Sequence, residues 1–412
     1  TPLYSSAASD VYKRQVIDGF TITNGTGTMR GTTSYGGGIY CEGTSVSIIN
    51  NIITGNTATW GGGGIECYFS PSSYIANNVI SNNTADTAGG GILVYNVSNP
   101  AIRGNRISRN TSAWGAGMYI VGWSNPSVSH NDILGNISSL GGGGLGIAWG
   151  SAPTLQFNNI IGNRSVWGGG GIWCGQSANP IIINCVIEHD TTLYSYYGGG
   201  IRIYNGASPT IRHTAIVNCE GAGVSCYNAA GVLDSCTISG NSYHGVYCYS
   251  NGNPTLHWCN IVNNAYYAVC NTDPAVTVNA ENNWWGDSTG PYHPDSNPGG
   301  RGDTVSDYVD FRPWLGWPVG VAERPIAIVK RNQNITVQTI VKGTMVTLTV
   351  GQPCKMDLQL FDITGREQWA AESKMYASGR HSLKLPRLAN GIYFLRCRTE
   401  KESETHKVVK IR

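Results

Sequence analysis

"GNTATWGGGGIEC" (Gly55–Cys67) returns almost letter for letter as "GNRSVWGGGGIWC" (Gly162–Cys174), 107 residues further on. Both copies follow a segment of the form I-x-x-N-x-I-x-x-N: "SIINNIITGN" (47–56) and "TLQFNNIIGN" (154–163). Aligned on that form, the chain also yields "YIANNVISNN" (74–83), "AIRGNRISRN" (101–110), "SVSHNDILGN" (127–136) and "IIINCVIEHD" (181–190). "TIRHTAIVNC" (210–219), "VLDSCTISGN" (232–241) and "TLHWCNIVNN" (255–264) complete the series. With "VIDGFTITNG" from Val16 there are about ten units, most 26 or 27 residues apart and the last two steps 22 and 23. A fixed period of this size marks a solenoid.

Each unit holds short β-like runs broken at Asn and Gly, and none has a helical period. The reading is all-β: a right-handed parallel β-helix of about ten rungs, stacked about 4.8 Å apart. The glycine tracts fall where each coil turns sharply, because glycine takes positive φ and lets backbones approach.

Alternation along a strand separates inside from outside. One inward column reads Ile39, Ile65, Ile92, Met118, Leu145, Ile172, Ile201, Val224, Val246. The next reads Cys41, Cys67, Val94, Ile120, Ile147, Cys174, Ile203, Cys226, Cys248. Cysteine thus exchanges with Val and Ile, so the thiols are expected buried and unbonded rather than paired. A turn column reads Asn51, Asn78, Asn105, Asn131, Asn158, Cys185, Thr214, Cys236, Cys259, expected to hydrogen-bond from rung to rung.

Charge separates two modules. Residues 323–412 hold 16 Lys+Arg and 8 Asp+Glu, a net +8; the other 322 hold 11 and 17, a net −6. No lysine lies between Lys13 and Lys330, which argues against a nucleic-acid groove on the solenoid. No apolar run reaches the roughly 18 residues of a membrane span. No C-x-x-C pair is present, and no metal site or cofactor is expected.

Residues 16–315 resemble the parallel β-helix repeat proteins of the pectin-lyase-like superfamily. "ENNWWGDSTGPYHPDSNPGGRGDTVSDYVDFRPWL" (281–315) resembles the closing segment of bacterial members, with Trp284, Trp285 and Trp314 covering the last rung. The tail, through "LQLFDITG" (358–365), "NGIYFL" (390–395) and "KVVK" (407–410), resembles the type A sorting domain of the type IX secretion system of the Bacteroidota. Asp362, Gly365, Gly391, Tyr393, Lys407 and Lys410 carry that likeness. It implies a small β-sandwich, the type IX machinery as partner, and export through periplasm and outer membrane to the surface or the medium. The domain reading is a leader at 1–15, the β-helix at 16–280, a closing segment at 281–315, a linker at 316–330 and the sorting domain at 331–412. The leader resembles a translated adapter string, with the native N-terminus expected upstream.

The superfamily resemblance implies that an enzyme here needs carboxylates on adjacent rungs, with calcium as cofactor only in that case. No outward column offers such a pair. The densest polar cluster is Glu188, His189, Asp190, Arg202, Arg212, His213 and Glu220, where the repeat changes length. Glu188 or Asp190 reads as an acid there and His189 or His213 as a base, in a lyase, epimerase or glycoside hydrolase. Asp190 also fits the Asn ladder as a replacement.

A second candidate site is aromatic. Tyr40, Tyr68, Tyr95, Tyr119, Trp173, Tyr204, Tyr227, Tyr247 and Tyr249 are expected to point outward from one sheet, and flat rings with polar edges suit stacking on sugars. The leading expectation is therefore a secreted or surface β-helix protein that binds extracellular polysaccharide or acts as an adhesin-like scaffold. A polysaccharide-modifying enzyme and a purely structural surface protein are the alternatives.

Overall fold

The computed structural model describes residues 15–319 and, further on, 335–342, 345–350, 353–362, 366–377, 379–385, 391–399 and 403–410. The chain divides into two compact units, 1–327 and 328–412. The first is a parallel β-solenoid of about eleven turns.

One coil shows how the sequence makes it. Val46–Ile49 lies in sheet A, Ile52–Thr54 in sheet B, Thr57–Ala58 in sheet C and Ile65–Tyr68 in sheet D. Each strand pairs in parallel with its counterpart one coil away, as Ile39, Ile65, Ile92 and Met118 do in sheet D. Between sheets A and B, and again between B and C, a residue at positive φ turns the chain (Asn50 at 57°, Gly55 at 67°). A ladder asparagine follows each turn. Asn51 donates its backbone N–H and its side-chain amide to Asn78 Oδ1 at 2.9 and 3.1 Å, and the amide also reaches Ile17 O at 2.8 Å. The second ladder repeats the pattern through Asn56, Asn83, Asn110, Asn136 and Asn163. Corners that would leave buried peptide groups unpaired are thereby satisfied.

Both inward columns are buried along their length, and one apolar core runs from the first coil to Trp285 and Phe311. All ten solenoid cysteines are buried and unbonded. Cys67 lies in register with Cys41, and Cys248 with Cys226. Burial raises the Cys226 thiol to about 12, so these groups pack as neutral hydrophobes.

Two of the four glycines of "WGGGGI" show why side chains are excluded there. Gly62 sits at φ 63°, where a Cβ would lie 2.5 Å from the Cβ of Glu66. A Cβ on Gly63 would lie 2.5 Å from the carbonyl oxygens of Thr84 and Gly90. The chain at this corner folds back onto the outer surface of sheet D, with Gly62 and Gly63 as its points of closest approach.

Sheet C ends at Thr191–Thr192, while the other three sheets continue. Losing that strand accounts for the shorter later coils, and the segment 193–197 spans the change. The solenoid gains its extra turn from the closing segment, whose strand Gly302–Val305 extends sheet D. Trp285 is fully buried beneath it.

The second unit has two antiparallel sheets. One joins Ile335–Lys342, Met345–Val350 and Gly379–Lys384; the other joins Glu367–Tyr376, Cys354–Asp362, Gly391–Thr399 and Ser403–Lys410. Val350, Met356, Leu358, Leu360, Leu383 and Leu395 share its core. Register places Asp362 opposite Tyr393, Phe394 opposite Lys407 and Gly391 opposite Lys410. Five of the six sorting-motif residues thus fall on three neighbouring strands. Gly365 lies outside the described residues, as do residues 1–14 and 320–330 of the expected leader and linker.

Candidate functional site

The outer surface of sheet D departs from the expected solvent-facing column. Glu66, Leu93, Trp173, Arg202 and Ser225 all point away from the core, yet all are buried. The cause is the glycine corner. Residues 61, 88 and 114 bridge to one another as an extra stripe beyond sheet C, and this stripe leans over sheet D. A second apolar cluster forms between them from Ala88, Leu93, Val121, Ala148 and Trp173, with Tyr95, Trp114, Tyr119 and Tyr204 against it.

The cleft left open between stripe and sheet is a groove of about 280 Å³. Trp60, Trp114, Trp149, Trp173, Tyr95 and Tyr119 form its aromatic lining, and no charged residue contributes to it. Trp114 and Trp173 pack with ring centroids 4.9 Å apart. Trp173, expected exposed, is only 4% accessible, packed into the floor of the groove. Burial pushes the Tyr119 hydroxyl well above the usual tyrosine range. Trp149 and Trp60 stand at the rim, 48% and 38% exposed. Trp60, Trp114 and Trp149 were absent from the aromatic column read from the sequence. The available signal was a tryptophan directly before a glycine corner, at Trp60, Trp114 and Trp167.

The remaining expected rings continue along the same sheet. Tyr204 stacks on Tyr227 at 5.2 Å and 13°, Tyr227 meets Tyr249 at 5.0 Å, and Tyr249 stacks on Tyr247 at 5.0 Å and 23°. At the other end Tyr68 meets Tyr95 at 5.4 Å, and Tyr40 lies beside the Arg30–Glu42 ion pair. Burial and the carboxylates of Glu42 and Glu66 raise the Tyr40 hydroxyl to about 12. Glu66 accepts from the Gly36 amide at 3.1 Å through one oxygen, and its other oxygen has no partner. Burial there raises its carboxyl to about 8.

Of the seven polar residues proposed for chemistry, Glu188 and His189 come together, and the seven do not form one cluster. Glu188 ends a sheet B strand, with His189 Nδ1 at 3.5 Å and Asn218 Nδ2 at 3.4 Å. Arg212 ends a sheet A strand and pairs with Asp234 at 3.6 Å, as a cross-rung ion pair. His213 occupies a positive-φ corner, φ 48°. Glu220 carries a backbone bridge to Thr191. Arg202 belongs to sheet D, apart from the others.

Asp190 is the strongest correction. It is fully buried in the second ladder, where Oδ1 accepts from the N–H and side-chain amide of Asn163 at 2.6 and 3.0 Å. It replaces an asparagine and cannot reach substrate. Among the described residues, no three of His, Cys, Asp and Glu gather where an ion could be held. In the closing segment, Asp303 Oδ2 accepts from Asn264 N at 3.1 Å at the foot of the same ladder.

Comparison with known families agrees with this architecture. The right handed beta helix region matches residues 11–160 and 136–285, more than half of the chain. The chain belongs to the right-handed β-helix family. Residues 330–411 match the secretion system C-terminal sorting domain. No curated protein matches the chain. This β-helix protein therefore carries a type IX sorting tail, is exported to the cell surface or beyond, and engages the secretion machinery through that tail. Among its described residues, no helix is long and apolar enough to cross a membrane.

Proposed function

We propose that this exported β-helix protein binds extracellular polysaccharide along the outer face of sheet D, having crossed periplasm and outer membrane by way of its tail. The observation that carries the reading is the uncharged aromatic groove with Trp60 and Trp149 at its rim. Ring faces at a rim stack on the C–H faces of pyranose rings, while tyrosine hydroxyls and Gln176 supply hydrogen bonds at the edges. The solenoid repeats such contacts rung after rung, which suits a polymer better than a single sugar.

For the enzyme reading, the structure brings together one candidate acid and base, Glu188 and His189 at 3.5 Å, away from the aromatic groove. Binding of the full chain to a panel of soluble neutral and acidic polysaccharides, measured by affinity electrophoresis and calorimetry, tests the proposal. Trp149→Ala and Trp60→Ala should each lower affinity about threefold to tenfold, the order of one lost ring contact. Unchanged affinity in both variants, or binding to no polymer, would remove the proposal.

A further inference from the structure

Arg202 is an anomaly on the same sheet. It is 6% exposed, and no carboxylate among the described residues lies within ion-pair distance of it. Its guanidinium donates to the carbonyl of Trp167 and, at 3.4 Å, to the hydroxyl of Tyr249; Nε has no partner. The ring of Tyr197 lies 3.7 Å from the guanidinium carbon and that of Tyr204 at 5.0 Å. A buried cation without a counter-ion is costly, and ring faces offset only part of that cost.

The surroundings are built to hold it. Gly168 lies at φ 96°, where a Cβ would come 2.7 Å from Arg202 Cδ. Gly221 makes similar room for the 193–197 segment, since a Cβ there would lie 2.9 Å from Tyr197 O. Tyr194, Tyr196 and Tyr197 pack on one another to form the cover, with Tyr194 and Tyr196 largely exposed. Arg202 is also the in-register neighbour of Trp173, the last groove residue on that sheet. The groove therefore ends, one rung on, at a covered positive charge.

We infer that Arg202 is an oxyanion anchor. It receives a carboxylate or sulfate substituent of the bound glycan when the Tyr194–Tyr197 cover lifts. The planar guanidinium, with Nε free, presents a forked pair of N–H donors to such a group. This rests on the polysaccharide reading and adds a charge requirement to it: the uncharged groove takes ring faces, and Arg202 selects an acidic polymer.

The test uses the full chain with a neutral hexose polymer, a uronate polymer and a sulfated polymer of matched length, and separately with sodium sulfate. One or both acidic polymers should bind at least tenfold tighter than the neutral one at low salt. That advantage should shrink as salt rises, and which acidic polymer shows it identifies the oxyanion. Arg202→Gln should abolish the advantage and move neutral-polymer affinity less than twofold. Arg202→Lys, which keeps the charge but loses the fork, should fall between. If Arg202→Gln proves poorly folded, Tyr197→Ser on an intact Arg202 carries the test, with faster association of acidic polymers and none for the neutral one. Equal binding of all three polymers, an advantage that survives Arg202→Gln, or no rate change in Tyr197→Ser overturns the anchor while leaving the groove reading intact. If no polymer binds but sulfate changes tyrosine fluorescence in the wild type, less in Arg202→Lys and not in Arg202→Gln, the anchor stands and the polysaccharide reading falls.

Discussion

Replacing Asp190 by asparagine should make this protein more stable, against the usual cost of altering a fully buried residue. From Asn83 to Asn163 each amide of the second ladder also donates to the carbonyl of a residue 29 or 30 positions back, as Asn163 does to Ile133 at 3.0 Å. Register puts the carbonyl of Ile160 in that place for residue 190. Asp190 Oδ2 stands where the amide nitrogen would be, buried and without a partner. An ionised oxygen facing a carbonyl is repelled, so the carboxyl keeps its proton, and burial accordingly holds it well above the usual carboxylate range. Protonated, Oδ2 can donate to that carbonyl as the amide would, so the cost of an aspartate here is that of holding the proton near neutral pH, which Asp190→Asn removes.

The pH dependence follows from linkage. A carboxyl raised in the folded state binds more protons folded than unfolded. Its contribution is therefore intact below the ordinary carboxylate value and is lost as pH rises above it, by about 1.4 kcal/mol per pH unit until the folded value is reached. Asparagine has no such slope. Thermal melts of wild type and variant should nearly coincide near pH 4 and separate by several degrees at pH 7, with the variant higher, at about 2–4 °C per kcal/mol. A variant that melts lower at pH 7, or a gap independent of pH, would show that Asp190 is ionised and otherwise satisfied.

Two further outcomes can be checked on the same material. Glu66 has the same sign with a stated window: its stabilising contribution should fade from its ordinary value up to about 8, so Glu66→Gln should gain on the wild type across that range and level off above it, read by chemical denaturation at several pH values. The ten solenoid thiols should be inert to a thiol reagent in the native protein, and all twelve cysteines should react after denaturation without reductant, as counted by mass spectrometry; fewer than twelve would reveal cross-rung disulfides.

The core was legible because a parallel in-register stack repeats one chemical choice at one position. Ile39 through Val246 and Cys41 through Cys248 could be read off as columns, and each pairing occurs as read. Asn51 and its successors announced the ladder for the same reason, and Asp190 could be seen to fit it. The outer face was less legible. Alternation tells which way Glu66, Trp173 and Arg202 point, but not that the glycine corner folds a second layer over them. Trp60 and Trp149 lie at turn positions with no strand periodicity, so no column displayed them. Glu188, Arg202 and Arg212 are close in sequence, yet a coil sends successive strands to different sheets, and proximity along the chain became separation in space.

By itself the sequence determined the repeat, the parallel stacking, the buried thiols and the sorting tail, because each depends on residue types recurring at fixed offsets. Only the tertiary structure decided where a ligand could lie. That depends on how far the glycine corners lean over sheet D and on where sheet C stops. Both are properties of the packed coil, and neither is written in any single unit of the repeat.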